Sequence, residues 1–184
     1  MDTIMKKSAI ALLLSVFSAA PALADDTGLF YFAGDVGSAS YSNFPFPNSS
    51  VMRIAGGYHF SPVLAVEMGL SWFGTSSANL SCCGQTTMSL TSFQVAAVAS
   101  VPLGPRFDLL GKMGLVSNSE DWSASIGPAG TYYQNDLLFG FGAQFHLDQQ
   151  ASLRVLYDNY GSFDSTNVPV KASSVSMGLV YNFY

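Results

Sequence analysis

The sequence has little charge and no long apolar run beyond its first two dozen residues. Charged residues make up 10% of the 184 residues, whereas soluble domains carry roughly 25%. After that N-terminal region, no segment approaches the roughly 20 consecutive apolar residues that a membrane helix needs. Yet 49% of the chain is hydrophobic and 14% is aromatic. The chain must therefore bury its apolar surface in some way other than long membrane helices.

Basic residues are also scarce. Beyond Lys6 and Lys7 they are isolated from one another: Arg53, Arg106, Lys112, Arg154 and Lys171. Without a basic cluster there is no electrostatic basis for binding nucleic acid, which we exclude as a partner. The two histidines, His59 and His146, belong to no pattern of metal ligands, and we expect neither a metal ion nor a cofactor.

The two cysteines, Cys82 and Cys83, are adjacent. Neighbouring Cα atoms lie about 3.8 Å apart, closer than the roughly 4.4–6.8 Å span of an ordinary disulfide. A strained bond between the two, a pair of free thiols and a link to another molecule all remain open.

The N-terminus has the pattern of a secretory signal. Two lysines precede an apolar stretch over residues 9–20, and Ala22-Leu23-Ala24 forms a small-x-small cleavage site. The apolar stretch is too short for a membrane anchor. We predict a cleaved signal peptide over residues 1–24, followed by a single domain over residues 25–184.

The last segment, Ser173–Tyr184, alternates strictly enough to predict a β-strand. One face is apolar and the other is small or polar, as expected when successive side chains point to opposite sides. The apolar set is Val175, Met177, Leu179, Tyr181 and Phe183. An unpaired apolar edge invites aggregation, whereas the last strand of a closed membrane barrel pairs with the first strand.

Seven earlier segments alternate in the same way, each about ten residues long. They are Leu29–Ser40, Val51–Phe60, Val63–Phe73, Met88–Val101, Arg106–Val116, Asn135–His146 and Ala151–Tyr160. Their connections alternate between short and long, which is typical of outer-membrane barrels. The longer ones include Gly74–Thr87 and Ser117–Gln134, both read as loops. The pattern predicts an all-β fold: an eight-stranded antiparallel up-and-down transmembrane β-barrel with both termini in the periplasm.

If the apolar face meets lipid, the charged face lies in the lumen. The predicted lumen charges are three acids and three bases: Asp35, Arg53, Glu67, Lys112, Arg154 and Asp158. A barrel of eight strands is only wide enough for its own side chains, and charges taken out of water must be paired. We predict a structural plug, with a conductance path as the alternative. The aromatics predicted at the membrane interfaces are Phe30, Tyr58, Trp72, Phe107, Phe145, Tyr157, Tyr181 and Phe183.

Two stretches, residues 56–69 and residues 101–114, are similar to the transmembrane domain of the outer membrane protein A superfamily. They contain Gly56-Gly-Tyr-His-Phe-Ser-Pro62, Ala65-Val-Glu-Met-Gly69 and Val101-Pro-Leu-Gly-Pro-Arg-Phe-Asp-Leu-Leu-Gly-Lys-Met-Gly114. The resemblance implies a small barrel in the outer membrane of a Gram-negative bacterium, without the periplasmic peptidoglycan-binding domain of larger members.

The resemblance also bears on the lumen and the C-terminus. It implies that Glu67, Lys112 and Arg154 belong to an interior network, but Val98 and Gln144 stand where a base and an acid are expected. The family's terminal aromatic matches Phe183, so Tyr184 is one residue beyond the usual end.

The expected function is a non-enzymatic integral outer-membrane protein of the cell envelope, with adhesion or host contact through its extracellular loops. Expected partners are outer-membrane lipid and lipopolysaccharide, the barrel-assembly machinery through the C-terminal strand, and a host or surface ligand at the loops; we expect a monomer. The alternatives are a narrow ion channel, a lipid A-modifying enzyme using His59-Phe60-Ser61, and a soluble lipocalin-like carrier. The loops can equally be solvated connectors.

Overall fold

The computed structural model describes residues 29–42, 47–80, 84–124, 130–163 and 170–183. The predicted signal peptide over residues 1–24 and the Cys82–Cys83 pair lie outside these residues. Within the described residues, no helix has the length and apolar character needed to cross a membrane.

The described chain forms nine β-strands. They are β1 (Leu29–Ser42), β2 (Ser49–Ser61), β3 (Leu64–Phe73), β4 (Ser76–Leu80), β5 (Gly84–Pro102), β6 (Phe107–Ala124), β7 (Gly130–His146), β8 (Ala151–Phe163) and β9 (Val170–Phe183). β4 continues β3 after Gly74 and Thr75, and both pair with β5. If β3 and β4 are counted as one interrupted strand, the wall of the barrel has eight strands, as the sequence predicts.

The sheet closes on itself with antiparallel pairing throughout. β1 pairs with β2 on one side and with β9 on the other, while β3 pairs with β5. Paired residues lead from Phe30 once around the barrel to Ser40, ten residues further along β1: Phe30, Tyr58, Val66, Ala97, Met113, Phe139, Asn159, Ser173 and Ser40. This stagger requires strands tilted by about 35–45°. The eight-stranded antiparallel barrel is confirmed.

Two segments predicted as loops are largely strand. In the region Gly74–Thr87, β4 pairs with the first residues of β5. In the region Ser117–Gln134, β6 continues to Ala124 and pairs with β7 from Gly130 onward. These segments are mostly polar, with isolated apolar residues such as Leu80 and Trp122, so they lack the apolar alternation from which strands were predicted. The loop prediction was wrong there because pairing with a neighbouring strand, rather than a buried face, holds the backbone extended.

The outer surface of the barrel is apolar along most of its height and then changes abruptly. On β1 the outward residues from Phe30 to Val36 are apolar or glycine, and the next one is Ser38; on β9 the apolar run from Phe183 ends at Ser173. On β5, β6 and β7 the change falls at Thr91, Ser117 and Asn135. We call this zone the apolar band. An exposed band of this kind is the surface that a barrel presents to lipid.

The lumen is filled in layers, which we name from the end where β1 begins. The vestibule is the open cavity at that end. The charge layer comes next and contains the six predicted lumen charges. On β1, β2, β3, β6 and β8 the apolar layer lies two to six residues beyond the charges, and on β5 it includes Ala96, which is directly opposite Glu67. The layer consists of Ala39, Val51, Phe73, Leu90, Ala96, Val116, Leu138, Tyr160 and Ala172.

Candidate functional site in the barrel lumen

The structure brings the six predicted lumen charges into one network. Each residue is 5% exposed or less, because strand alternation turns it inward. Cross-strand pairing brings charges on neighbouring strands together. Asp35 is directly opposite Arg53, and Arg154 is opposite Gly178, which in turn pairs with Asp35.

Arg154 is the most extensively bonded of the three bases. Its Nε and Nη2 atoms each donate a 2.8 Å hydrogen bond to Asp35, one to each carboxylate oxygen. Its Nη1 donates a 2.8 Å bond to Glu67 Oε2. A planar guanidinium suits this two-pronged contact, and such charge-assisted bonds are among the strongest in proteins. Arg154 thus joins two acids that lie on opposite sides of β2.

Arg53 and Lys112 complete the network. Arg53 donates from Nε to Asp35 Oδ2 at 2.9 Å and from Nη1 to Asp158 Oδ2 at 2.7 Å. Lys112 Nζ donates to Glu67 Oε1 at 3.1 Å and lies 3.8 Å from Asp158 Oδ1. Asp35 and Asp158 therefore each face two bases, Glu67 faces all three, and the layer is neutral as a whole. This balance offsets the several kcal/mol per ion that burial would otherwise cost.

Two glycines make room for the carboxylates. A Cβ at Gly140 would collide with Asp158 Oδ1, and a Cβ at Gly178 would collide with Asp35 Oδ1. Both glycines face the lumen directly across from the acid concerned. The sequence reading placed them on the correct face but missed this role. The detectable signal is a glycine at a lumen-facing position one strand away from a predicted buried charge.

Tyr31 is a member of the site that the sequence reading did not single out. Its hydroxyl donates to Glu67 Oε2 at 3.1 Å, and its ring lies over Gly57, where a Cβ would collide with it. The ring also packs at 4.9 Å from the ring of His59. Tyr31 shares its inward parity with Asp35. It stands between the charge layer and the vestibule and contacts both.

The vestibule has a volume of about 590 Å³ and is lined mainly by polar side chains. They include His59, Arg106, Asp108, Gln144 and His146, with Arg154 at the inner end. Val98 and Gln144, the two positions where the resemblance implies a base and an acid, both line this cavity. Uncharged side chains at these positions leave an open space beside the network instead of extending it.

His146 is held by two hydrogen bonds at the vestibule rim. Its Nδ1 lies 2.9 Å from Ser152 Oγ, and its Nε2 lies 3.0 Å from Asp108 Oδ2. These are the residue types of a catalytic triad. Ser152, however, is fully buried, and a nucleophile must be reachable by its substrate. The three residues tie β6, β7 and β8 together.

The His59-Phe60-Ser61 segment does not form a nucleophile and base pair. Ser61 Oγ accepts hydrogen bonds from the backbone N–H groups of Leu64 at 3.0 Å and Val63 at 3.4 Å. The hydroxyl thus caps the turn between β2 and β3. Among the described residues, no group of three or more His, Cys, Asp or Glu side chains is arranged to hold a metal ion.

The apolar layer closes the lumen beyond the charges. Leu138 is 0% exposed, and the rings of Phe73 and Tyr160 meet edge to face at 5.1 Å. The Tyr160 hydroxyl lies 3.4 Å from Ser71 Oγ and 3.4 Å from Ser174 Oγ, which joins this layer to the polar lumen below. Close-packed side chains of this kind leave little space for water.

A buried acid lies in the lumen on the side away from the vestibule, directly opposite Leu90 of the apolar layer. Glu120 lies on the part of β6 that extends past the apolar band and is 4% exposed. Burial raises the pKa of this carboxyl above its usual value. Tyr41 lies on the same side of the lumen, and its hydroxyl is 2.9 Å from Ser49 Oγ; burial likewise raises the pKa of this phenol.

Six of the eight predicted interface aromatics lie together at the end where β1 begins. Phe30 pairs with both Tyr58 and Phe183, Phe107 pairs with Phe145, and Tyr181 pairs with Phe32. Trp72 lies near the opposite edge of the apolar band, across from Met52 and Thr91. Tyr157 pairs with Phe141 and with Val175, and the next outward residue on β8 is Asn159, so Tyr157 is the last apolar outward residue of its strand.

Comparison with protein families identifies the fold. A model described as the outer membrane protein beta-barrel domain matches residues 9–183. The chain belongs to this family. A search of curated proteins found no match.

Solved structures of small outer-membrane barrels share the architecture. The crystal structure of Neisserial surface protein A is 17% identical, with a TM-score of 0.71 over 85% of this chain and 99% of that one. The outer membrane protein OprG of Pseudomonas aeruginosa is 15% identical, with a TM-score of 0.63 over 86% and 97%. Ail, the attachment invasion locus protein of Yersinia pestis, solved with the heparin analogue sucrose octasulfate, is 15% identical, with a TM-score of 0.61 over 85% and 99%. The predicted resemblance to this class of barrel is confirmed.

Proposed function

We propose that this protein is a non-enzymatic surface protein of a Gram-negative outer membrane, which strengthens the envelope and makes contacts outside the cell through the extended strands β4 to β7. The observation that carries the proposal is the extension of these strands past the apolar band. β5 and β6 have 19 and 18 residues, whereas about 9–11 residues suffice to cross a bilayer.

The proposed orientation puts the vestibule and both chain ends in the periplasm. Three short connections occur at that end, between β2 and β3, β5 and β6, and β7 and β8. Short periplasmic turns and longer extracellular segments are the usual arrangement in bacterial barrels.

Labelling of intact cells tests the orientation and the surface contact together. In a Cys82→Ser, Cys83→Ser background, Tyr133→Cys places a thiol on the extended part of β7, and Gly104→Cys places one in the turn between β5 and β6. A membrane-impermeant maleimide is expected to label position 133 on intact cells, and position 104 only after lysis. Labelling of position 104 alone on intact cells would reverse the orientation.

The filled lumen supports a structural role over a channel. The charge layer and the apolar layer are stacked across the path, and their residues are buried. The vestibule nevertheless reaches Arg154, so a narrow conductance path is the second candidate. Planar-bilayer recording is expected to show no conductance steps above background; reproducible single-channel steps would favour the second candidate.

The absence of enzymatic activity is part of the proposal. The Ser61 hydroxyl accepts a hydrogen bond from the backbone of the turn that it caps, and Ser152 is buried. We expect the mass spectrum of lipid A to be unchanged when the protein is overexpressed. A new deacylated species that depends on Ser61 or Ser152 would contradict this part of the proposal.

The proposed periplasmic end also has features that suit assembly and a monomeric state. β9 ends in exposed aromatics that pair with β1, which supports recognition of this strand by the barrel-assembly machinery. The closed sheet leaves no free edge along the apolar band, so a single copy can sit in the bilayer.

A further inference from the structure

Among the described residues, Thr75 and the outward surface of β4 to β7 beyond the apolar band carry mostly small hydroxyl side chains. We call it the hydroxyl face; its residues are Thr75, Ser77, Thr87, Ser89, Thr91, Ser117, Ser119, Asp121, Ser123, Thr131, Tyr133 and Asn135. On β5, β6 and β7 this outward parity follows from an alternation that continues unbroken from lipid-facing residues such as Phe93, Leu115 and Leu137. Thr75 and Ser77 are placed on the face by their exposure and by the contact of Thr75 with Ser89.

Cross-strand hydrogen bonds hold several of these hydroxyl groups in place. Thr75 Oγ1 lies 3.0 Å from Ser89 Oγ, and Thr131 Oγ1 donates to Asp121 Oδ1 at 2.7 Å. Thr87 Oγ1 donates to the Ser123 carbonyl oxygen at 3.3 Å. A hydroxyl group that donates one bond still has acceptor capacity. The face therefore presents a paired, fixed array of hydroxyl oxygens rather than a set of free side chains.

The aromatic ring of Tyr133 projects from the hydroxyl face into solvent. Tyr133 is 78% exposed, and its direct cross-strand neighbour is Ser119. An exposed tyrosine offers a rigid apolar ring and a polar tip at low cost in side-chain entropy. Fixed hydroxyl groups around such a ring suit a partner that combines C–H faces with many hydroxyl groups, which is the chemistry of a saccharide.

The charge on the face argues against an anionic group as the partner. Asp121 is its one charged residue, and among the described residues beyond the apolar band the one base is Lys171, which lies on β9 away from this face. Recognition of phosphate groups on lipids relies on clusters of lysine and arginine. The hydroxyl face would therefore contact the uncharged part of a glycolipid.

The position of the face identifies which saccharide is available to it. The face is the direct continuation of the lipid-facing wall on the same strands, so it lies immediately above the hydrocarbon and points sideways toward neighbouring lipids. In the proposed orientation, these neighbours are the glycolipids of the outer leaflet. We propose that the hydroxyl face binds the uncharged core sugars of lipopolysaccharide. This inference rests on the orientation given under the proposed function.

Binding of two glycolipids to the folded protein in detergent micelles tests the inference. The ligands are lipopolysaccharide with a complete core and the lipid A of the same strain, compared by native mass spectrometry. The variants are Tyr133→Ala and Ser119→Ala on the hydroxyl face. Tyr132→Ala is the matched control, because Tyr132 is the next residue on β7, points to the opposite face and is 54% exposed.

The native protein is expected to bind the complete glycolipid at least about five-fold more tightly than lipid A, as a few net hydrogen bonds and one ring contact would give. Tyr133→Ala should lose most of this preference, Ser119→Ala part of it, and Tyr132→Ala none. Equal affinity of the native protein for the two glycolipids would overturn the inference, as would equal losses in Tyr133→Ala and Tyr132→Ala. Because surface labelling of position 133 does not depend on sugar binding, failure here leaves the proposed orientation standing.

Discussion

The charge layer and the apolar layer fill the same lumen by different physical means. In the charge layer every acid faces at least two bases at fixed angles, and each contact depends on the others. In the apolar layer Leu138, Tyr160 and their neighbours fill space without directional bonds. Removal of one side chain should therefore leave an uncompensated charge in the charge layer but only a cavity in the apolar layer.

Arg154→Met should give the largest effect, because it removes the base that joins Asp35 to Glu67. Breaking a buried ion pair on one side costs about 3–5 kcal/mol of folding free energy. Urea unfolding of the refolded barrel in lipid vesicles measures this loss. Arg106→Met, at an exposed turn, is the control and should change stability by less than about 0.5 kcal/mol. Equal effects of the two substitutions would mean that the buried network is not a stabilising unit.

Leu138→Ala tests the apolar layer with a substitution that leaves no charge behind. Removal of a fully buried leucine side chain costs about 2–4 kcal/mol, depending on how far the cavity collapses. The control is Leu137→Ala, whose side chain is next in sequence, points outward and is 51% exposed. Urea unfolding should show the larger loss for position 138. A larger loss at position 137 would place the packed core outside the barrel.

Gly178→Ala sharpens the comparison because it leaves all six charges in place and disturbs only their geometry. The added methyl group collides with Asp35 and with the backbone of Gly34, and overpacking of this kind costs about 1–3 kcal/mol. Gly34→Ala is the control, since a Cβ there meets nothing within 4 Å. Both are compared by their midpoints of urea unfolding. If the two variants unfold at the same urea concentration, close approach of the carboxylate does not require the glycine.

Glu120→Gln should give the smallest change in the free energy of unfolding, and this change should depend on pH. Burial raises the pKa of Glu120 in the folded protein, so the folded state is favoured at a pH below the unfolded pKa and loses stability as the pH rises through the folded pKa. The substitution should therefore stabilise the protein slightly at pH 7, with no gain near pH 3. Unfolding midpoints at the two pH values measure this. A gain that is larger at pH 3 would contradict the assignment.

Alternation of side chains along each strand carried the prediction of the barrel wall and of the inward charges. Asp35, Arg53, Glu67, Lys112, Arg154 and Asp158 share the inward parity, and a barrel this narrow has to bring such residues together. The heights at which they meet depend on the stagger of ten residues, which no local pattern in the sequence encodes.

The parts that sequence reading missed are those in which no apolar face marks a strand. Ser77, Ser117 and Thr131 belong to strand segments without a continuous apolar face, so hydrophobic periodicity gives no signal there. The inward apolar layer was missed for a related reason. Phe73 and Leu138 appear on the predicted lumen face as isolated apolar residues, and their clustering follows from cross-strand register.

Quenching of tryptophan fluorescence by brominated lipids tests the central claim most directly, namely that the apolar faces of the strands meet hydrocarbon while the charges are sealed inside. In a Trp122→Phe variant, the remaining tryptophan is Trp72, which lies on the outward face near the edge of the apolar band. Strong quenching by bromine on the lipid chains, with little quenching by aqueous iodide, is predicted. Efficient quenching by iodide with no response to brominated lipid would contradict the account.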